Sequence, residues 1–168
     1  MSLSMYQASI PPLLRLLGNF KGILEKGAAY ETAKKLDAAV LPGSRLYPDM
    51  LPLRAQVYIA TDAAKGCPAR LSGTEPVKFE DTEQTLAELI ARVDKTIALL
   101  KTYQAEQIDG SEERPVTINT PRGPLNFKGL QYLQHFVLPN FYFHVTTAYG
   151  ILRHSGVELG KMDYLGAT

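Results

Sequence analysis

The chain holds one cysteine, Cys67, and a single thiol excludes both an internal disulfide and any Cys-x-x-Cys redox or zinc motif. A reducing, cytoplasmic setting is the simplest home for such a chain. Charge of one sign is equally scarce. The 18 lysines and arginines face 17 aspartates and glutamates, a formal net charge of +1, and no basic run supplies the phosphate-neutralising charge that nucleic-acid binding needs. Long apolar runs are missing too: Leu13-Leu14-Arg15-Leu16-Leu17 is broken by a charge and falls far short of the roughly 20 residues of a membrane span. Pro11 and Pro12, with no basic start and no small-residue cleavage site, argue against a signal peptide. The sequence also has no Gly-rich phosphate loop, no Gly-x-Ser-x-Gly elbow, no His-Glu-x-x-His run, no internal repeat and no low-complexity segment.

What is present is an ordinary globular mixture, 45% hydrophobic and 21% charged over 168 residues. A chain of that length buries roughly 70% of its unfolded surface, enough for one domain over 1–168 without a metal or disulfide staple. Apolar residues recur at helical spacing in four stretches. In Ile10 to Lys26 the face is Leu13, Leu16, Leu17, Phe20, Ile23 and Leu24, with Gly18 and Gly22 placed for a close helix approach. Gly27 reads as a stop, followed by a short connecting helix within Ala28 to Val40. The second main helix is expected after Tyr47-Pro48-Asp49, with Asp49 as N-cap, stripe residues Met50, Leu53, Val57, Ala60 and Ala64, and an end or kink at Gly66-Cys67-Pro68. Asp81 with Gln84 three residues on reads as the cap of the third, whose face is Leu86, Leu89, Ile90, Val93, Ile97 and Leu100. After Asp109-Gly110 the period becomes two: Val116 and Ile118, then Leu125 and Phe127, flank Thr120-Pro121-Arg122-Gly123 and predict a small β-hairpin. Lys128 to Val137 returns to helical spacing and Pro139 interrupts the passage into the last helix, which Gly156 ends. The segment 160–166 is too short for an element and packs back on the bundle.

The predicted architecture is all-α: a four-helix bundle with a short connecting helix and a hairpin between helices three and four, for which an up-down-down-up order fits the long connections. Its most informative residue is His144, which shares a face with Val137, Phe141, Val145, Ala148, Ile151 and Leu152. Three roles are open to it: metal ligand, general base, or core histidine satisfied by a hydrogen bond. A two-histidine metal motif on one helix places its ligands four apart, but Asn140 and Ala148 occupy those positions, and a neutral amide is a poor ligand for zinc or nickel. His135 and His154 fall on other sides of the helix; His154 suits the negative end of its dipole. Cys67, beside Pro68 and with no histidine near in sequence, reads as structural. Asp49 and Asp62 do not read as paired carboxylates, because the first is assigned to capping and the second falls opposite its helix's stripe.

Several runs carry a family likeness: Arg45-Leu46-Tyr47-Pro48-Asp49-Met50, Gln56-Val57, Ala69-Arg70-Leu71-Ser72-Gly73, Pro139 to Tyr149, and Gly160-Lys161-Met162-Asp163-Tyr164-Leu165-Gly166. Taken together they resemble a domain-of-unknown-function family similar in fold to the DinB/YfiT-like four-helix proteins, many of them regarded as metalloenzymes. The resemblance implies a bundle, often a homodimer, with a divalent metal such as zinc or nickel on three histidines, one from the second helix and two, four apart, from the last. Carried over by position, His144 takes the place of the second histidine of the final pair, Asn140 of the first, and Gln56 approximates the ligand from the second helix. The expectation is therefore a polar pocket around Gln56, Asn140 and His144 that takes a small molecule without a tightly bound metal. A metal-dependent thiol transferase or hydrolase with a degenerate site, and a structural or partner-binding module, are the alternatives.

Overall fold

The computed structural model describes residues 3–166. Its first helix, α1 (Met5–Lys34), starts before the prolines rather than at them. Ser4 accepts from the Gln7 N–H and Gln7 returns a bond to the Ser4 N–H, a reciprocal box that fixes the start and leaves Pro11 and Pro12 inside the helix. The expected stop at Gly27 is also overturned. A Cβ there would lie 3.2 Å from Leu152 and 3.5 Å from Leu86, so this glycine serves interhelical packing, and α1 runs on to a left-handed Lys35. Gly18 and Gly22, expected to admit a neighbour, face open space. The connecting helix expected within Ala28 to Val40 is instead the end of α1, and a one-turn α2 (Val40–Gly43) forms where a break is expected.

Helix α3 (Leu53–Ser72) begins at Pro52, and Asp49 lies in the preceding turn without capping it. Pro68 does not end the helix; the end comes at Gly73, whose left-handed backbone (φ 78°) lets its N–H reach the Ala69 and Arg70 carbonyls. From Gln56 to Leu71 most of α3 is buried, and its many alanines with Gly66 give a slim helix that neighbours can surround. Helix α4 (Leu86–Leu100) is capped one turn later than Asp81: Thr85 and Glu88 form the box, and the bonds from the Gln84 and Thr85 backbone N–H groups hold the Glu88 carboxyl below its ordinary pKa. Its buried face is Leu86, Leu89, Val93 and Leu100, together with Arg92 and Thr96, while Ile90 and Ile97 are only half-buried.

After the short α5 (Ala105–Ile108) come β1 (Pro115–Thr120) and β2 (Gly123–Lys128), antiparallel with Val116 opposite Phe127 and Ile118 opposite Leu125, as the alternation predicts. The one-turn α6 (Gly129–Gln131) leads into a π-helical segment, Tyr132–Val137, and then α7 (Leu138–His154). Pro139, in the first turn of α7, has no N–H to offer the carbonyls behind it, which suits the widened turn that precedes it. The terminal segment does form an element, α8 (Lys161–Leu165), tied to α1 by Lys26–Asp163 (2.6 Å) and by the Asn19 amide on the Tyr164 carbonyl.

Helix directions follow from the contacts. Lys21 pairs with Asp94 while Gly27 meets Leu86, so α1 and α4 are antiparallel. Leu16 and Asn19 line a groove with Tyr142 while Gly27 meets Leu152, so α1 and α7 are parallel. Gln56 meets His144 while Ala63 meets the same cleft as Asn140, so α3 and α7 are antiparallel. The order is up-down-down-up around one contiguous apolar core. Leu89 lies at its centre with no exposure. Leu89→Ala is expected to cost about 2–5 kcal/mol through lost burial and the cavity left behind, read as a fall in the urea midpoint. An unchanged midpoint would be incompatible with this packing.

Candidate functional site

Helices α3 and α7 press together along most of their length, and the seam between them holds two of the three sequence-predicted residues in contact. His144 Nδ1 lies 2.7 Å from Gln56 Oε1 across the seam, with both side chains buried. The amide of Gln56 is fixed in turn, because its Nε2 donates to the Leu51 carbonyl at 3.0 Å. The oxygen facing His144 can therefore only accept, so Nδ1 carries the proton and Nε2 keeps its lone pair. Among the described residues Nε2 has no hydrogen-bond partner of its own. Burial disfavours the imidazolium and holds the His144 pKa below its usual 6.5.

Asn140 lies one turn before His144 on α7, but the structure gives it no hydrogen bond to either partner. It lines an adjoining cleft of about 160 Å³ with Ile59, Asp62, Ala63, Arg70, Ile118, Tyr132 and Phe136, a cleft that neither Gln56 nor His144 reaches. The three residues thus form a pair and a neighbour. One imidazole nitrogen with two carboxamides, one of them fully engaged, is a weak donor set for zinc or nickel. Among the described residues no cluster of three or more histidine, cysteine, aspartate or glutamate side chains offers a metal-holding alternative. The residues present do not fit a tightly held divalent ion.

His135 and His154 are exposed and stand apart from this seam. Cys67 is fully buried on α3, and burial pushes its thiol up to about 12, which leaves it un-ionised at neutral pH.

A charged cluster beside the seam has no counterpart in the sequence reading. Arg92, only 2% exposed, donates from Nε to Thr61 (2.8 Å), from Nη1 to the Glu80 carbonyl (2.9 Å) and to Glu83, and from Nη2 to Asp62 (3.2 Å) and Asp81 (2.9 Å). Its guanidinium also lies 4.8 Å from the Tyr58 ring centroid and 5.4 Å from that of Phe79. Lys65, buried as well, pairs with Asp62 at 2.9 Å. The available signal was positional. Arg92 falls three residues after Leu89 and one before Val93, on the apolar face of α4, where an unpartnered charge is not tolerated.

The family model described as "Domain of unknown function (DUF1993)" matches residues 5–165. The chain belongs to the DUF1993 family. A crystal structure described as a DinB family member protein from Shewanella denitrificans is similar to this DUF1993 chain, at 39% identity over 97% of this chain and 92% of that one, with a TM-score of 0.87. Among curated proteins none matches the chain. The DUF1993 fold is thus DinB-like, and among the described residues it has no helix long and apolar enough to cross a membrane.

The His144 environment sets a pH dependence. Its folded pKa is depressed, so as pH falls through 6.5 the unfolded chain takes up a proton at this residue that the folded chain refuses until lower pH. Stability from this group is complete above 6.5 and declines below it. Melting temperature measured between pH 7.5 and 6 should fall with acidification, and His144→Gln should flatten that slope; an identical slope in the variant would mean that His144 takes up its proton equally readily in the folded and the unfolded chain.

Proposed function

We propose that this DinB-like chain binds a small molecule at the α3–α7 seam, in a polar pocket formed by Gln56, Asn140 and His144, without a tightly held metal. One observation carries the reading: the 2.7 Å bond between Gln56 and His144 orients a buried imidazole in a single tautomer. A fixed ring with its Nε2 lone pair unspent is a hydrogen-bond acceptor for a ligand O–H or N–H, and it is a proton acceptor of low basicity. Asn140, one turn away, offers an amide donor and acceptor to a ligand long enough to extend into the adjoining cleft. The same lone pair supports a second reading, a metal-dependent thiol transferase or hydrolase with a weak, degenerate site. Under the third, a structural or partner-binding module, neither metal nor small molecule is taken up.

Restoring imidazoles separates these readings. If the three positions converge, Gln56→His with Asn140→His supplies a three-histidine set, and three protein ligands plus water is a common zinc arrangement. Calorimetric titration of zinc and nickel into chelator-treated samples should show weak uptake by the unmodified chain, a small gain in each single variant and a steep gain in the double one. Tight binding by the unmodified chain would instead favour the metal-dependent enzyme, and no gain in the folded double variant would mean that the three side chains do not meet around one ion.

The functional unit in this reading is a cytoplasmic homodimer. Support comes from exposed apolar side chains, among them Phe143 at 58% and Tyr142 at 38%, on α7. Tyr142 adjoins a groove lined by Pro12, Leu16 and Leu165. Sedimentation velocity should give twice the chain mass at micromolar concentration, whereas a monomer at high concentration rules the dimer out.

A further inference from the structure

Gly66 lies in the interior of α3, where a glycine weakens a helix relative to alanine, and its neighbour explains it. A Cβ at this position would fall 2.2 Å from Arg70 Nη1, so the bare backbone is the seat on which the Arg70 guanidinium lies, folded back one turn along its own helix. That guanidinium donates to the Tyr132 hydroxyl at 3.1 Å. Among the described residues no carboxylate ion-pairs with it. It is a fixed and uncompensated positive charge on one wall of the cleft of about 160 Å³ that Asn140 also lines.

The other charged group of this lining is Asp62. It meets both Lys65 and Arg92 through Oδ1, which leaves Oδ2 without a hydrogen bond among the described residues. The ion-paired network behind it sets Asp62, Asp81 and Glu83 against Lys65 and Arg92, with Lys95 a third cation over the Phe79 ring, so the negative charge facing the cleft is that of Asp62 itself. The cleft is therefore charged plus at one end and minus at the other. Gly66, which marks the guanidinium, and Asp62 are four residues apart, about 6 Å along the helix axis. Arg70 and Asp62 thus line one cleft, where a small molecule carrying both charges can make a charge-assisted hydrogen bond to each. Ile59, Ala63, Ile118 and Phe136 supply apolar walls. The walls Tyr132 and Phe136 belong to the π-helical segment, a distortion that recurs at functional sites.

We propose that this cleft binds a small zwitterion of the α-amino acid class, its carboxylate on Arg70 and its ammonium on Asp62 Oδ2, with the aliphatic side chain against the apolar wall. The site uses neither Gln56 nor His144 and shares only the lining residue Asn140 with the seam pocket.

Calorimetric titration of the full chain with L-valine, isobutyrate and isobutylamine tests it. L-Valine should bind saturably, and the two single-charge analogues should bind at least about tenfold more weakly, since each forfeits one charge-assisted contact. Arg70→Met should weaken valine binding at least about tenfold. Gly66→Ala, which keeps the charge but displaces its seat, should weaken it as well, with the fold of each variant checked by circular dichroism. His144→Gln should leave valine affinity unchanged. Absence of valine binding, isobutyrate binding as tightly as valine, or full valine affinity in folded Arg70→Met overturns the assignment. So does loss of valine binding in folded His144→Gln with Arg70→Met unaffected, which moves the ligand to the seam.

Discussion

A guanidinium taken out of water must have nearly all of its N–H groups answered, and the burial of Arg92 imposes that demand on α3 and on the chain that leads into α4. Its partners come from α3 (Thr61 and Asp62) and from the irregular chain ahead of α4 (Glu80, Asp81 and Glu83). That chain has no regular hydrogen bonding of its own, and it is drawn across the bundle by this one side chain, with Tyr58 adding a bond to the Glu83 carbonyl. Phe79, buried there, is flanked by Lys65 and Lys95 as well as Arg92. The parallel contact of α3 with α4 is thus organised by polar satisfaction as much as by apolar burial.

With α3 held on that side, its opposite edge is presented to α7. The seam contains a buried hydrogen bond that an apolar pair would not need, and the cleft beyond it is walled by the hairpin. Phe127 of β2 packs on Tyr132 and Phe136 with ring centroids 6.1 and 5.7 Å away. The hairpin therefore closes the end of the bundle where the polar groups of α3 and the start of α7 converge.

Much of this was readable from periodicity. The α4 stripe, the hairpin register and the end of α7 at Gly156, with φ 99°, follow from local rules that act within a few residues. Sequence and structure part at Asp49 and Asp81, which cap neither α3 nor α4, and at glycines and prolines whose role is tertiary. Gly27 makes room for Leu152, Pro68 sits inside a helix enclosed by neighbours, and Gly66 seats a side chain from the next turn. The same limit applies to the site. Gln56 and His144 are 88 residues apart: the helical face singles out His144, and only family position brings in Gln56. Arg70 stands in the family-like run Ala69 to Gly73, but no role is legible there because its significance depends on what does not pair with it.

The π-helical segment has a consequence for how α7 is aimed. A π turn takes up one more residue than an α turn, and each residue of an α-helix advances about 100° around the axis. Tyr132–Val137 thus acts as a phase shifter between the hairpin and the last helix. Were the segment to relax into regular α geometry, the aromatic wall of the cleft and the His144 face of α7 would swing out of register with each other. The widened turn is what allows one continuous run of chain to present Tyr132 and Phe136 to the cleft and, less than three turns later, His144 to Gln56.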